Sequence, residues 1–124
     1  MSPMTTVETF DRPAASIGPA PEVRTEGAWR VYPLEGALEL QYHDAAGNPS
    51  RRRVMARELK VGPGKTLLGG IDLADDGYRG FRADRIDAIV DADSGLTVRR
   101  NILDWLIAWA VAQERERRKA RRRA

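Results

Sequence analysis

Leu38-Glu39-Leu40-Gln41-Tyr42, with the turn that follows it and the run Arg51 to Val61, decides the fold class of this chain. Leu38, Leu40 and Tyr42 alternate with Glu39 and Gln41, and a period of two marks a strand with one buried face. Between Asp44 and Ser50 stand Gly47, Asn48 and Pro49. Gly and Asn tolerate left-handed backbone and Pro fixes φ, so this is turn chemistry. Two strand-like runs around such a turn predict a β-hairpin.

Upstream, Trp29-Arg30-Val31-Tyr32 reads as a first strand ended by Pro33. Residues 1–27, with Pro3, Pro13, Pro19 and Pro21 and no apolar period, read as a disordered leader. Downstream, Gly62-Pro63-Gly64 breaks the chain and Lys65 to Ile71 forms a short strand. Asp72 to Gly77 is a polar loop, and Tyr78 to Val90 supplies one long or two short strands. Asp93-Ser94-Gly95 turns into Leu96-Thr97-Val98. Short strands at spacings of about 8–12 residues predict a small barrel or a sandwich.

The end of the chain changes period. Asn101 is placed to cap a helix, with Asp104 near its N-terminal dipole. Apolar residues at Ile102, Leu103, Trp105 to Trp109 and Val111 lie nearly all round it, so it needs burial on more than one side. From Glu114 onward the residues are mostly charged. Of 21 Lys and Arg and 18 Asp and Glu in the chain, seven and two lie in residues 113–124, a net of +5. The rest then hold 14 basic and 16 acidic residues, a net of −2. The basic character therefore resides in the C-terminal tail.

At 124 residues, 42% of them hydrophobic, the chain suits one domain with a modest core. It has no cysteine, which excludes disulfides, thiolate catalysis and cysteine-ligated zinc. The first twenty residues lack a basic segment followed by an apolar one. The longest apolar run, Trp105 to Ala112, falls well short of the roughly 20 residues a spanning helix needs. A cytoplasmic protein without a membrane span is expected.

Arg79-Gly80-Phe81-Arg82-Ala83-Asp84-Arg85-Ile86 carries three arginines on a strand-like segment. Together with Leu38 to Tyr42, the Gly-Asn turn, Arg52-x-Val54 and Leu67-Leu68-Gly69, it resembles the WYL domain. That small β-barrel module is found mainly in bacterial transcription regulators and phage-defence proteins. The resemblance covers roughly residues 37 to 98 and implies a sensing or binding module, not an enzyme. It implies a positive groove for nucleic acid or a nucleotide, with Arg52, Arg79, Arg82 and Arg85 at the family's arginine positions. Arg53 and Tyr78 complete the expected site, and Arg51 and Arg57 add charge nearby. Guanidinium forks match phosphate oxygens and stay charged at cellular pH. The alternative is that these arginines form ion pairs with Asp72, Asp75, Asp76, Asp84 and Asp87, Arg85 with Asp84 in particular. Of the name-giving Trp-Tyr-Leu only Leu67 is retained, Lys65 and Thr66 standing at the aromatic positions. Ala56 replaces the usual proline and Gly80 the usual threonine.

Other motifs read as turns. Gly62-Pro63-Gly64-Lys65-Thr66 has Leu59 where a P-loop requires glycine, and no helix start follows it. Asp91-x-Asp93-x-Gly95 has Ile102 where a calcium loop requires glutamate. His43, the one histidine, lacks partner spacing for a metal site or a triad. No cofactor and no metal are expected.

The expected architecture is mainly β: an SH3- or Sm-like barrel of about five strands over residues 28–98, with a C-terminal α-helix and Arg-rich tail over 99–124. The expected function is a ligand-sensing or nucleic-acid-binding regulatory module. The alternative is a protein-interaction or oligomerisation module in which Trp105 and Trp109 form the interface, of a homodimer or with a regulatory partner. The tail itself reads as a solvated helix end, a nucleic-acid tether or a contact to an anionic membrane surface.

Overall fold

A computed structural model describes residues 22–123. Its strands are β1 (Arg24–Glu26), β2 (Trp29–Pro33), β3 (Ala37–His43), β4 (Pro49–Gly62), β5 (Lys65–Asp72), β6 (Gly77–Arg82), β7 (Ile86–Asp91) and β8 (Thr97–Val98). A single 3-10 turn, Ala83–Arg85, separates β6 from β7, and one helix, α1 (Ile102–Arg123), follows. The fold is mainly β with a C-terminal helix. Most of the leader assigned to residues 1–27 lies outside the described residues, but Arg24–Glu26 at its end pairs with β2.

All pairings are antiparallel, and β4 organises them. Its fourteen residues carry β5 along one edge. Along the other, β2 and β3 lie end to end, β2 against Glu58 to Val61 and β3 against Pro49 to Met55. The pairing slips between Ala56 and Glu58, which leaves Arg57 as an extra residue. Its carbonyl accepts the Leu34 amide at 2.8 Å. The bulge has a packing consequence. Before it, even-numbered Val54 and Ala56 are buried; after it, odd-numbered Leu59 is. One extra residue resets the alternation, so both halves of a bent strand face one core.

β3 continues outward to β7 and β7 to β8, whereas β6 pairs with β5 alone. The sheet is therefore not closed into a barrel. Leu38, Leu40, Val54, Leu59, Leu68, Phe81, Ile86 and Ile89 form the core, with Leu106 and Ala110 from α1. Tyr42 stands edge-on to Phe81 at 5.2 Å between ring centres. Its hydroxyl accepts the Arg82 amide at 3.1 Å, tying β3 to the end of β6.

One face of α1 packs on this core. Leu106, Ala110 and Glu114, at helical spacing, are its buried residues. The Gln113 amide accepts the Glu35 N–H and donates to the Glu35 carbonyl, both at 2.9 Å. Gly36, at φ 136°, sits under Trp109, where a β-carbon would meet the ring at 2.8 Å. Only glycine satisfies both demands there. Among the described residues, Leu103 and Val111 of α1 remain exposed. Asn101 acts through its backbone. It is left-handed at φ 55°, and its carbonyl accepts the first helical bond from Trp105 at 2.9 Å.

Candidate functional site

Arg52, Arg53, Tyr78, Arg79, Arg82 and Arg85 come from β4, β6 and the turn after β6. Strand alternation sorts them by face. Arg52 lies opposite the buried Leu40 in register and Arg79 shares its face with buried Phe81, so both belong to the inner face. Arg53, Tyr78 and Arg82 belong to the outer one. The six therefore do not form one group.

Arg52 and Arg79 meet at Asp72. That carboxylate ends β5 and is 1% exposed. Arg52 Nη1 donates to Asp72 Oδ2 at 3.1 Å, and Arg79 Nε lies 3.5 Å from the same oxygen. Oδ1 accepts the Ala74 amide at 3.0 Å. Two guanidinium groups and a backbone amide thus satisfy a charge that burial would otherwise make costly. Arg79 also donates to Asp75, and this bond is the main reason the Asp75 carboxyl lies below its ordinary value.

Arg82 is held by Asp84 in a two-pronged pair, Nε at 3.0 Å and Nη2 at 2.9 Å, which lowers the Asp84 pKa. Asp84 thus takes Arg82 rather than the neighbouring Arg85. Arg85 and Arg53 have no ion-pair partner among the described residues. Tyr78 lies across Gly69, where a side chain would collide with its ring, and its hydroxyl donates to Glu58. Burial, then the bond to Glu58, raises the phenol above its ordinary pKa. His43 Nδ1 lies 3.0 Å from Asp87 Oδ2 on the exposed side of β3.

The electrostatics of α1 are different. Glu114 is 8% exposed. It accepts from Arg117 at 2.9 Å, Arg118 at 3.1 Å and Arg121 at 3.3 Å. Burial alone pushes the Glu114 carboxyl up, but the guanidinium groups outweigh it and hold the pKa below 4.5. Arg121 also reaches Glu22 at 3.9 Å, carrying the helix back to the start of the sheet. The exposed side of the helix carries Arg115, Lys119 and Arg122 at steps of three and four, with Arg118 between them and Glu114, all exposed. Arg118 remains 67% exposed despite its bond to Glu114. Lys119 approaches a carboxylate only at 3.8 Å, that of Glu116.

Trp105 and Trp109 stack with centres 5.3 Å apart and planes 19° apart, half-buried against the core. Glu114 escaped the reading of the sequence as a hub, although the spacing of 114, 117, 118 and 121 carries that signal. No helix among the described residues is long and apolar enough to cross a membrane. No family model, curated protein or solved structure matches the chain.

Proposed function

We propose that this chain is a non-catalytic regulatory module that binds nucleic acid, with the outward basic face of α1 as its main phosphate contact. The observation that carries the reading is Arg118, Lys119 and Arg122 on one exposed face, continued by Arg123 at the helix end. A row of cations over the last turns of α1, about 13 Å long, follows a phosphate backbone without reading bases. The strand arginines play a smaller part, because Asp72, Asp75 and Asp84 already occupy Arg52, Arg79 and Arg82. Among the described residues, Arg53, Arg57 and Arg85 are the arginines of the proposed strand site and its surroundings that are left to contact a ligand.

We also infer that residues 37 to 98 form a WYL-like module. The order β6-β5-β4-β3-β7, with a 3-10 turn before β7, supports a strongly bent five-strand unit of the SH3 or Sm kind as the centre of the sheet. In such a module the sheet positions α1 and α1 supplies the charge.

Binding of a fluorescent single-stranded oligonucleotide across a salt series tests this. The parent protein should lose affinity steeply as salt rises. The R118Q/K119Q/R122Q variant should flatten the log–log slope by about 2, at about 0.7 per phosphate contact. R82A/R85A should bind nearly as the parent does. Full binding by the helix variant with loss in R82A/R85A would move the site to the sheet. Absence of binding by the folded parent would end the proposal.

A further inference from the structure

The outward face of α1 is also complementary to itself. Asp104, Ala108, Val111 and Arg115 follow one another at steps of four, three and four residues, and all are exposed. They stand on the side of the helix away from the buried Leu106, Ala110 and Glu114. The partly buried Ile107 borders them toward the core. Read along the helix, the face runs acidic, small, apolar, basic.

We infer that α1 pairs antiparallel with α1 of a second copy of this chain, independently of any nucleic acid. In that orientation Asp104 lies against Arg115 of the partner subunit, and Ala108 against Val111 of the partner subunit. The two-fold axis repeats both contacts. A parallel pair would set Asp104 against its own copy and Arg115 against its own copy, and like charges across an interface oppose association. Charge order therefore selects the occupant and its direction. Alternating steps of three and four keep a contact stripe on one side of each helix. Ala108 allows the backbones to approach, while Val111 loses exposed apolar surface. The remaining cations, Arg118 to Arg123, extend past the contact in opposite directions, so the two basic ends do not meet.

The contact spans about three turns of each helix. That is well under the roughly 800 Å² per partner of a standard stable complex. The association is accordingly weak and concentration-dependent.

Sedimentation equilibrium on the full chain, freed of nucleic acid and followed from micromolar to millimolar concentration, decides the matter. The parent should pass reversibly from monomer to dimer. Asp104→Arg alone and Arg115→Asp alone should each weaken the dimer about tenfold or more, since each sets like charges against each other. The double variant D104R/R115D recreates the pairs with their signs exchanged and should return to parental affinity. Unchanged circular dichroism would show that these exposed substitutions leave the fold alone. A parent that stays monomeric throughout overturns the inference. So do single variants that dimerise like the parent, and so does a double variant that fails to recover. Because no oligonucleotide is present, failure here leaves the salt-series result intact, and the reverse also holds.

Discussion

The arginines of the sheet and the arginines of the helix are equally charged but differ in their neighbours. On β4 and β6, Arg52, Arg79 and Arg82 each reach an aspartate, so Asp72, Asp75 and Asp84 offset those three charges, while Arg53 and Arg57 stay unpaired among the described residues. Along residues 113–124, seven cations face two carboxylates. One of these, Glu114, is spent on the buried side of α1. A motif rich in arginine is therefore no guide to an anion site until its carboxylates have been located. What creates an attractive surface is charge left over after local pairing.

The strongest way to break this contrast is to remove Asp72. Asp72→Ala leaves two guanidinium groups gathered around an empty acceptor site and strips the Ala74 amide of its partner. The expected loss of stability is roughly 3 kcal/mol, measured by urea unfolding. Asp72→Asn keeps an acceptor for the amide and should lose about half as much. It also releases Arg52 and Arg79 from a full negative charge. If paired aspartates are what silences the sheet, D72N should bind the single-stranded oligonucleotide more tightly than the parent. Unchanged affinity in a folded D72N protein would show that these arginines are badly placed for phosphate whatever their partners.

Glu114 is the helix counterpart of Asp72. Glu114→Gln should lower stability by roughly 1–2 kcal/mol, because three arginines lose a charged acceptor in a buried setting. Its pH dependence has a definite sign. The folded carboxyl titrates below 4.5, so the stabilisation is fully present above that pH and fades as pH falls through the depressed value. Urea midpoints taken from pH 5 downward should therefore fall more steeply for the parent than for E114Q. Parallel curves would mean that the arginines do not favour the charged form.

The contrast also separates what the sequence reveals from what it withholds. The alternation of Leu38, Leu40 and Tyr42 locates β3, the Gly47-Asn48-Pro49 turn locates the β3–β4 hairpin, and Ile102 opens the helix where Asn101 suggests. These signals are local. The break of residues 78–90 into β6, a 3-10 turn and β7 has none, because Ala83 is buried like a strand residue and Asp84 and Arg85 suit either conformation. The absence of barrel closure is equally hidden, since it depends on where the far edge of β6 lies relative to β7 and β8. Of the arginine site, residue type and strand placement were legible. The division between inner and outer faces was not, because it hangs on the Arg57 bulge and on Asp72 turning inward. The pairing of Asp84 with Arg82 rather than Arg85 was hidden as well, because Asp84 sits in the 3-10 turn, where strand alternation no longer decides which neighbour it faces.

Arg82 offers the smallest expected effect and the sharpest control. Its pair with Asp84 has good two-pronged geometry, but it joins residues two apart on an exposed edge, and water screens both charges. Arg82→Ala should leave the urea midpoint where it is. The Arg82 contact that matters to the fold is its backbone amide to the Tyr42 hydroxyl, and alanine keeps that amide. The same variant should leave the oligonucleotide salt slope at the parental value, since Asp84 already opposes the charge being removed. A clear fall in slope for R82A alone would mean that phosphate displaces Asp84 from the guanidinium. The ion pairs of the sheet would then be a resting arrangement that a ligand opens, and the two arginine populations would differ in readiness instead of in role.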